Sequence, residues 1–204
     1  MNRPGKIVCV GRNYLEHARE LGNDMPKEPL IFLKPPSAVI ASGVAIELPA
    51  QSKQVEFEGE IGIVIGRRLR RASEADAIAG IASLVAVNDV TARDLQKTDG
   101  QWTRAKGFDT FCPLGEPALC PADLGAVEVV TRVNGVERQR ARAREMAFAI
   151  PALIAYISGI MTLEPGDLIA TGTPAGVGPL APGDTVEVEL TGLSVVRNPV
   201  VRAT

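Results

Sequence analysis

The sequence is poor in residues that bind soft metal ions and in aromatic side chains. Its 204 residues include three cysteines, one histidine and one tryptophan, and aromatic residues make up only 4% of the chain. A single histidine and three widely spaced cysteines do not supply the nitrogen and sulfur ligands of a zinc site. Any metal ion is therefore expected to bind to carboxylate oxygens.

The chain also lacks a strong excess of charge and a long hydrophobic run. Its 22 basic and 24 acidic residues leave a net charge of -2, which provides no attractive field for nucleic acid. The longest apolar segment, 148–161, is interrupted by Pro151 and Gly159 and is shorter than the ~20 residues of a membrane span. Because the N-terminus has no secretory signal pattern, we expect a cytoplasmic protein with a small-molecule partner, and neither a nucleic-acid nor a membrane partner.

Short apolar runs separated by glycine and proline dominate the rest of the sequence. With 46% hydrophobic and 23% charged residues, the chain can bury a core, and its 20 glycines and 15 prolines are spaced as turn residues. We expect one strand-rich domain over residues 1–204. The predicted strands include 7–10, 30–33, 55–65, and a hairpin of 127–133 and 136–139 around Asn134-Gly135. The predicted helices are 14–21, which Asn13 and Glu16 begin with a capping box, 73–84, and a buried helix within 148–161.

Carboxylates with the spacing of a cation site occur on two predicted strands. Glu58 and Glu60 lie two residues apart, so their side chains share one face of a strand, and Asp89 ends another strand. Three oxygen ligands of this kind suit Mg²⁺ or Mn²⁺ and leave positions for a substrate. Glu56 has the same phase, however, and alternating glutamates also occur on the solvent-exposed face of a strand. The spacing alone leaves both interpretations open.

The only histidine has a carboxylate one helical turn away. His17 and Glu20 lie three residues apart on the predicted helix 14–21, where Glu20 can hold one ring nitrogen and leave the other as a base. The alternative is a surface histidine in an ordinary pair of charged side chains.

Three further features have both a functional and a structural interpretation. The segment Thr171-Gly172-Thr173-Pro174, with Gly176 and Gly178, can hold a carboxylate through its amides and hydroxyls, or simply form a tight turn. Lys106 and Arg93 can place positive charge near a bound anion, or be solvated. The arginines at 138, 140, 142 and 144 indicate an exposed sheet edge, and no function is assigned to them.

Several of these motifs occur in a characteristic order. They are Val10-Gly11-Arg12-Asn13-Tyr14, His17 to Glu20, Glu58-x-Glu60, Asn88-Asp89-x-Thr91-Ala92-Arg93-Asp94, Lys106, and Thr171-Gly172-Thr173-Pro174-x-Gly176-Val177-Gly178-Pro179. The set resembles the fumarylacetoacetate hydrolase family from about Ile7 to Asn198, and most closely its compact acylpyruvase and oxaloacetate decarboxylase branch. The resemblance implies an α+β fold of mixed, rolled β-sheets with flanking short helices, usually in a homodimer.

The resemblance also implies a role for individual residues. Glu58, Glu60 and Asp89 match the metal ligands of the family, with Mg²⁺ or Mn²⁺ as the cofactor, whereas Glu56 matches none. The catalytic positions are His17, Glu20 and Lys106, and the substrate-binding positions are Arg12, Arg93, Gln96 and Thr173. The sequence departs from the family pattern at 141–145, where relatives commonly carry a threonine near Ala143, and this departure leaves the substrate open.

The expected reaction is cleavage of a C–C bond in a small 2-oxo acid through a metal-bound enolate. Acylpyruvate or fumarylpyruvate hydrolysis and oxaloacetate decarboxylation all fit this description. A first alternative keeps the same metal site in an isomerase of 2-hydroxyhepta-2,4-diene-1,7-dioate, or in a 5-carboxymethyl-2-hydroxymuconate-type isomerase or decarboxylase of aromatic catabolism. A second alternative is a non-catalytic small-molecule binder on the same scaffold, which would lack the metal carboxylates or the histidine dyad.

Overall fold

Short strands and a few short helices make up the protein. The computed structural model describes residues 3–20, 22 and 24–203. The strands of this part are β1 Ile7–Gly11, β2 Leu30–Lys34, β3 Val39–Ala41, β4 Ile46–Leu48, β5 Val55–Phe57, β6 Gly59–Ile65, β7 Ile81–Asn88, β8 Thr91–Ala92, β9 Cys112–Leu114, β10 Glu128–Val133, β11 Val136–Arg142, β12 Leu168–Ala170, β13 Gly178–Pro179, β14 Thr185–Leu190 and β15 Ser194–Arg202. Its helices are α1 Leu15–Glu20, α2 Glu74–Ala79, α3 Arg93–Thr98, α4 Thr103–Gly107 and α5 Ile150–Ile160.

A seven-stranded mixed sheet forms the centre, in the order β2-β1-β12-β6-β7-β9-β3. The apolar run of β6 lies at its middle, paired antiparallel to β7 and to β12. Gly62 permits this close pairing, because a Cβ at that position would lie 2.4 Å from Cγ2 of Val87. One face packs against the apolar side of α5, where Leu153 and Ile157 join Ile61 and Ile63 in the main hydrophobic cluster. These strands hold the functional side chains in fixed positions.

The predicted hairpin is confirmed and forms one edge of a second sheet, ordered β11-β10-β14-β15-β4. Its turn residues Asn134 and Gly135 both have positive φ, 53° and 78°, as a tight hairpin turn requires. The arginines of the edge region are exposed, as expected, whereas Gln139 between them is buried.

The strand predicted over 55–65 is interrupted at Glu58. β5 belongs to a three-stranded sheet with β13 and β8, and β6 belongs to the central sheet. At the break, the Glu58 N–H donates to Oδ1 of Asn88 at 3.0 Å, and the Glu58 carbonyl accepts from the Asp89 N–H at 2.8 Å. Glu58 therefore lies where the chain passes from one sheet to another. Its backbone is hydrogen-bonded to Asn88 and Asp89 at the end of β7.

Two predictions for the helices were wrong in detail. The segment 73–84 is helical only over α2, because Gly80 ends the helix and the chain enters β7 at Ile81, where pairing with β6 outweighs the helical spacing. Ser73 caps α2 by accepting from the Asp76 N–H. Asn13 does not act as the predicted cap of α1, since its side chain accepts from the Phe148 N–H and donates to the carbonyls of Phe148 and Thr171.

The apolar segment near residue 150 forms a buried helix, as predicted. It is α5, with 11 residues. Among the described residues, no helix has the length and apolar character to cross a membrane.

Candidate metal centre and active site

Three buried carboxylates converge at one end of the β6–β7 pair. Glu58 immediately precedes β6, Glu60 lies within it, and Asp89 immediately follows β7; Gly59 pairs with Asn88 between them. Each of the three side chains offers an oxygen, and these oxygens all lie within 4.8 Å of one another. Exposure of the three residues is 5%, 1% and 0%, so they are not the solvent-exposed face of a strand. The structure therefore brings together the three side chains that the spacing and the resemblance singled out.

Two of the carboxylates are compensated by buried cations. Nζ of Lys106 donates to Oε2 of Glu58 at 2.8 Å and to Oδ2 of Asp89 at 2.6 Å. Lys34 donates to the other Asp89 oxygen at 2.6 Å, and Arg93 donates to the other Glu58 oxygen. Burial alone would raise the pKa of Glu58, but the charges of Lys106 and Arg93 outweigh burial and hold the pKa well below its ordinary value. Glu58 is therefore ionised.

Glu60 differs from its two neighbours because no ion pair reaches it within the described part of the chain. One of its oxygens accepts the backbone N–H of Gly172 at 2.8 Å. Burial, together with the negative charges of Asp89 and Glu58, raises the pKa of Glu60 well above its ordinary value. A further cation beside Glu60 would oppose this shift, because it stabilises the ionised carboxylate.

The donor set and the charge balance both fit a divalent cation. All three donors are carboxylate oxygens, which Mg²⁺ and Mn²⁺ prefer. With all groups ionised, the buried carboxylates of this region, Glu56, Glu58, Glu60 and Asp89, outnumber its buried cations, Lys34, Arg93 and Lys106, by one. Glu56 is the member outside the triad, because its oxygens accept from Arg93 at 2.7 Å and from Gln54 at 2.6 Å.

His17 and Glu20 form a dyad beside these carboxylates. Nδ1 of His17 lies 3.2 Å from Oε2 of Glu20, and the imidazole is only 4% exposed, so the interpretation as a surface histidine is wrong. The Glu20 carboxylate also accepts the backbone N–H of Gly176, at 3.1 and 3.2 Å from its two oxygens. Glu20 therefore orients the imidazole and is itself oriented by the loop between β12 and β13.

That loop uses its amides and hydroxyls to hold the protein's own groups. Gly172 donates to Glu60 and Gly176 donates to Glu20, so these two amides already bind carboxylates of the chain. The Thr173 hydroxyl donates to the Gly59 carbonyl at 3.0 Å and accepts from Gln139 at 2.7 Å. The loop therefore positions one residue of the triad and one of the dyad.

Gly176 is where a side chain should damage this loop most. Its φ is +99°, and a Cβ would lie 2.0 Å from the Arg138 carbonyl oxygen, whereas Gly183 has a φ of +94° with no described atom within 4 Å. We expect Gly176→Ala to lower the free energy of unfolding by about 3 kcal/mol or more, and Gly183→Ala by about 1–2 kcal/mol, because only the first adds overlap with the backbone to the strain of positive φ. Urea unfolding measures both, and equal losses would contradict the geometry.

His17 of the dyad and two of the three carboxylates, Glu58 and Glu60, line one cavity of about 60 Å³. Eight of the ten residues proposed from the sequence line it, namely Arg12, His17, Glu58, Glu60, Arg93, Gln96, Lys106 and Thr173. The other two residues, Asp89 and Glu20, contact residues of this lining: Asp89 accepts a hydrogen bond from Lys106, and Glu20 lies within hydrogen-bond distance of His17.

Arg93 is held more firmly by the protein than the sequence indicated. Its three guanidinium nitrogens donate to Glu56, Gln96 and Glu58 in turn. Its charge faces the cavity, while two of these three hydrogen bonds orient carboxylates.

Sequence reasoning missed Lys34 and Gln139. Lys34 is 2% exposed and bonds Asp89 and the Val90 carbonyl, and its signal is a lysine at the end of an apolar strand, before two prolines. Gln139 is 1% exposed and joins the Gly59 N–H to Thr173. The sequence signal for its burial was its position between two arginines of β11, because alternate residues of a strand face opposite sides.

Comparison with known proteins identifies the family. The profile described as fumarylacetoacetate (FAA) hydrolase C-terminal matches residues 6–201. A mitochondrial oxaloacetate decarboxylase of Dictyostelium discoideum is 45% identical over 195 residues, covering 92% of this chain and 89% of that protein. A mitochondrial oxaloacetate tautomerase of Arabidopsis thaliana is 46% identical over 203 residues, covering 97% and 91% respectively.

A crystal structure extends this likeness to the fold. The 5-carboxymethyl-2-hydroxymuconate delta-isomerase of Mycobacterium smegmatis superposes with a TM-score of 0.92 at 48% identity, covering 99% of this chain and 80% of that one. The mixed sheets and short helices described above are therefore the α+β fold that the motifs implied, and the chain belongs to the fumarylacetoacetate hydrolase family.

Proposed function

We propose that this protein is a divalent-cation-dependent enzyme that cleaves a C–C bond in small 2-oxo acids, both by decarboxylating oxaloacetate and by hydrolysing acylpyruvates. The observation that carries the proposal is the position of Glu60, a buried carboxylate without an ion-pair partner among the described residues, in the same cavity as His17, which Glu20 orients. The names of the Dictyostelium and Arabidopsis relatives support oxaloacetate as a substrate.

Electrostatics favours a small anion as the substrate. When bound at the three carboxylates, Mg²⁺ or Mn²⁺ supplies a Lewis acid that stabilises negative charge on the carboxylate and keto oxygens of a 2-oxo acid. The buried cluster then changes from one excess negative charge to one excess positive charge. Arg12 adds positive charge to the cavity lining, and it has no ion-pair partner within the described residues. We assign it to the second carboxylate of a dicarboxylic substrate such as oxaloacetate.

Lys106 contributes charge rather than proton transfer. Burial alone would lower the pKa of Lys106, but Asp89 and Glu58 outweigh burial and raise the pKa above its ordinary value. The ammonium group is therefore permanently charged at neutral pH. It faces the cavity and offsets negative charge that develops on the substrate.

His17 is the residue suited to move a proton. When Nδ1 carries the proton, it donates to Glu20, and Nε2 is left as the base. In acylpyruvate hydrolysis, Nε2 takes a proton from water as the oxygen attacks the distal carbonyl. The C–C bond then breaks, its electron pair forms the enolate of pyruvate, and a proton returns to carbon 3 to give pyruvate and a carboxylic acid.

Oxaloacetate needs no attacking water. Its C3–C4 bond breaks, carbon dioxide leaves, and the electron pair forms the same enolate, which is protonated at carbon 3. The demand on His17 is therefore smaller in this reaction than in hydrolysis. The demand on Lys106 and on the three carboxylates is the same in both.

A second candidate function uses proton transfer without bond cleavage. The dyad provides a base, and the names of the Arabidopsis tautomerase and the Mycobacterium smegmatis isomerase favour this chemistry. In such a reaction His17 would move a proton between carbon atoms, or between carbon and oxygen, of a 2-oxo or 2-hydroxydienoic acid. The non-catalytic binder was expected to lack the carboxylates or the dyad, and both are present.

A panel assay with Mg²⁺ and with Mn²⁺ tests the proposal. The substrates are oxaloacetate, acetylpyruvate, fumarylpyruvate and a hydroxymuconate-type dioate, with pyruvate, carbon dioxide and the isomerised product measured separately. We expect cation-dependent release of pyruvate from oxaloacetate and from acetylpyruvate, and slower release from the longer fumarylpyruvate. Turnover of the dioate alone would assign the isomerase function, and no turnover with either cation would refute an enzyme of this class. Sedimentation velocity on the same sample tests the homodimer that we propose from the family resemblance.

A further inference from the structure

Two aromatic rings separate the catalytic cavity from a much larger surface groove. Phe32 in β2 and Trp102, which precedes α4, each line both spaces. The cavity is about 60 Å³ and the groove about 590 Å³. The cavity is about a tenth of the volume of the groove, so the rings restrict what fits beside the carboxylates.

The rings are fixed by packing on both sides. Their centroids are 5.2 Å apart with an interplanar angle of 75°, which is an edge-to-face contact. Gly11 leaves room for the indole, because a Cβ there would lie 3.0 Å from Cζ3 of Trp102. On the cavity side, Nζ of Lys106 lies 5.0 Å from the Phe32 ring centroid, within cation–π range. Phe32 is therefore in contact with Lys106, whereas Trp102 can be changed without removing a contact to that lysine.

The groove beyond the rings suits an aliphatic chain. Its lining includes Leu33, Pro35 and Pro36, and Leu33 is 50% exposed. No acidic residue is among the described residues that line it. If the two rings did not separate the spaces, the acyl part of a longer 2-oxo acid could bury its apolar surface in this groove.

We propose that Trp102 is a specificity-determining residue that limits the chain length of the 2-oxo acid by closing the cavity against this groove. The inference rests on the proposed function, because it concerns the substrates of the same site. With the indole in place, short acids such as oxaloacetate and acetylpyruvate fit. Without it, the cavity and the groove become continuous and longer acyl chains enter.

The test compares Trp102→Ala and the milder Trp102→Leu with the wild-type protein. The quantity measured is kcat/KM for hexanoylpyruvate divided by kcat/KM for acetylpyruvate, with Mg²⁺ present. We expect this ratio to rise about tenfold or more in both variants, since a closed apolar pocket discriminates by about that factor. Lys97→Ala, which changes an exposed residue of α3 that lines neither the cavity nor the groove, is the control and should leave the ratio within about twofold.

A purely structural role for Trp102 predicts a different result. Both substrates would then lose turnover equally, the ratio would not change, and the proposal would be overturned. If Trp102→Ala does not fold, the ratio in Trp102→Leu decides.

A binding measurement separates this proposal from the proposed function. Calorimetry with Mg²⁺ compares pyruvate with 2-oxooctanoate, and the variants should improve the affinity for the longer acid relative to the shorter one. Because Trp102 is the only tryptophan, its fluorescence in the wild-type protein should also change when pyruvate binds. If the wild-type protein turns over short acids, but the variants change neither the kcat/KM ratio nor the affinity ratio of longer to shorter acid, only the proposal for Trp102 is refuted. If the wild-type protein neither binds nor turns over any 2-oxo acid, the proposed function fails and the proposal for Trp102 fails with it.

Discussion

Glu60→Gln should lower the affinity for Mg²⁺ about 100-fold or more and reduce turnover about 1000-fold or more. Glutamine keeps the shape of the side chain and an oxygen that can accept the Gly172 N–H, but it removes the charge that no ion pair compensates in the described structure. Loss of a direct ligand should exceed the 10–100-fold cost of altering a residue that only supports one. Calorimetric titration measures the affinity, and pyruvate release measures turnover.

Glu56→Gln is the matched control for this variant. Glu56 is a buried glutamate of the same region, two residues from Glu58, but its oxygens bond Arg93 and Gln54 instead of joining the triad. The affinity for Mg²⁺ should stay within about tenfold of wild type, because no ligand is lost. Equal losses in the two variants would show that general negative charge, and not the triad, attracts the cation.

His17→Ala should separate the two proposed reactions. Hydrolysis of acetylpyruvate should fall about 100- to 10,000-fold, the usual contribution of a positioned acid or base, because no other group replaces Nε2 in activating water. Decarboxylation of oxaloacetate should fall about tenfold or less, since it needs no attacking water. Both rates are measured with saturating Mg²⁺ on one protein preparation.

Glu20→Gln provides a graded control for the dyad. It keeps an acceptor for Nδ1 but removes the charge beside the imidazole, so hydrolysis should fall by less than in His17→Ala while the cation affinity is unchanged. If His17→Ala slows both reactions equally, the assignment of His17 to water activation is refuted. The division of labour between the dyad and the carboxylates would then have to be abandoned.

The triad could be predicted because local strand spacing and the order of the motifs pointed to the same residues. Strand periodicity predicts that Glu58 and Glu60 share one face. Asp89 follows an apolar strand, which predicts that it lies where that strand ends. The motif order added the choice of these three carboxylates over Glu56. Burial of the triad could not be predicted, since alternating glutamates have the same spacing on an exposed strand.

The supporting contacts could not be predicted because they join distant parts of the chain. Lys34 donates a hydrogen bond to Asp89, 55 residues away in the sequence, and Gly172 donates one to Glu60, 112 residues away. The interruption at Glu58 arises because the chain passes there from the three-stranded sheet to the central sheet. Hydrogen bonds of the Glu58 backbone to Asn88 and Asp89, about 30 residues away, hold it in this position. The error over 73–84 has the same origin, since pairing of β7 with β6 outweighed local helical spacing.

A crystal structure of the Mn²⁺-soaked protein, with anomalous difference density, tests the central claim most directly. One ion should lie among Glu58, Glu60 and Asp89, with an oxygen of each at about 2.0–2.3 Å, as carboxylates ligate small divalent cations. Occupancy should be lost in Glu60→Gln crystals and kept in Glu56→Gln crystals. Density absent from this position, or an ion held by other residues, would contradict the account.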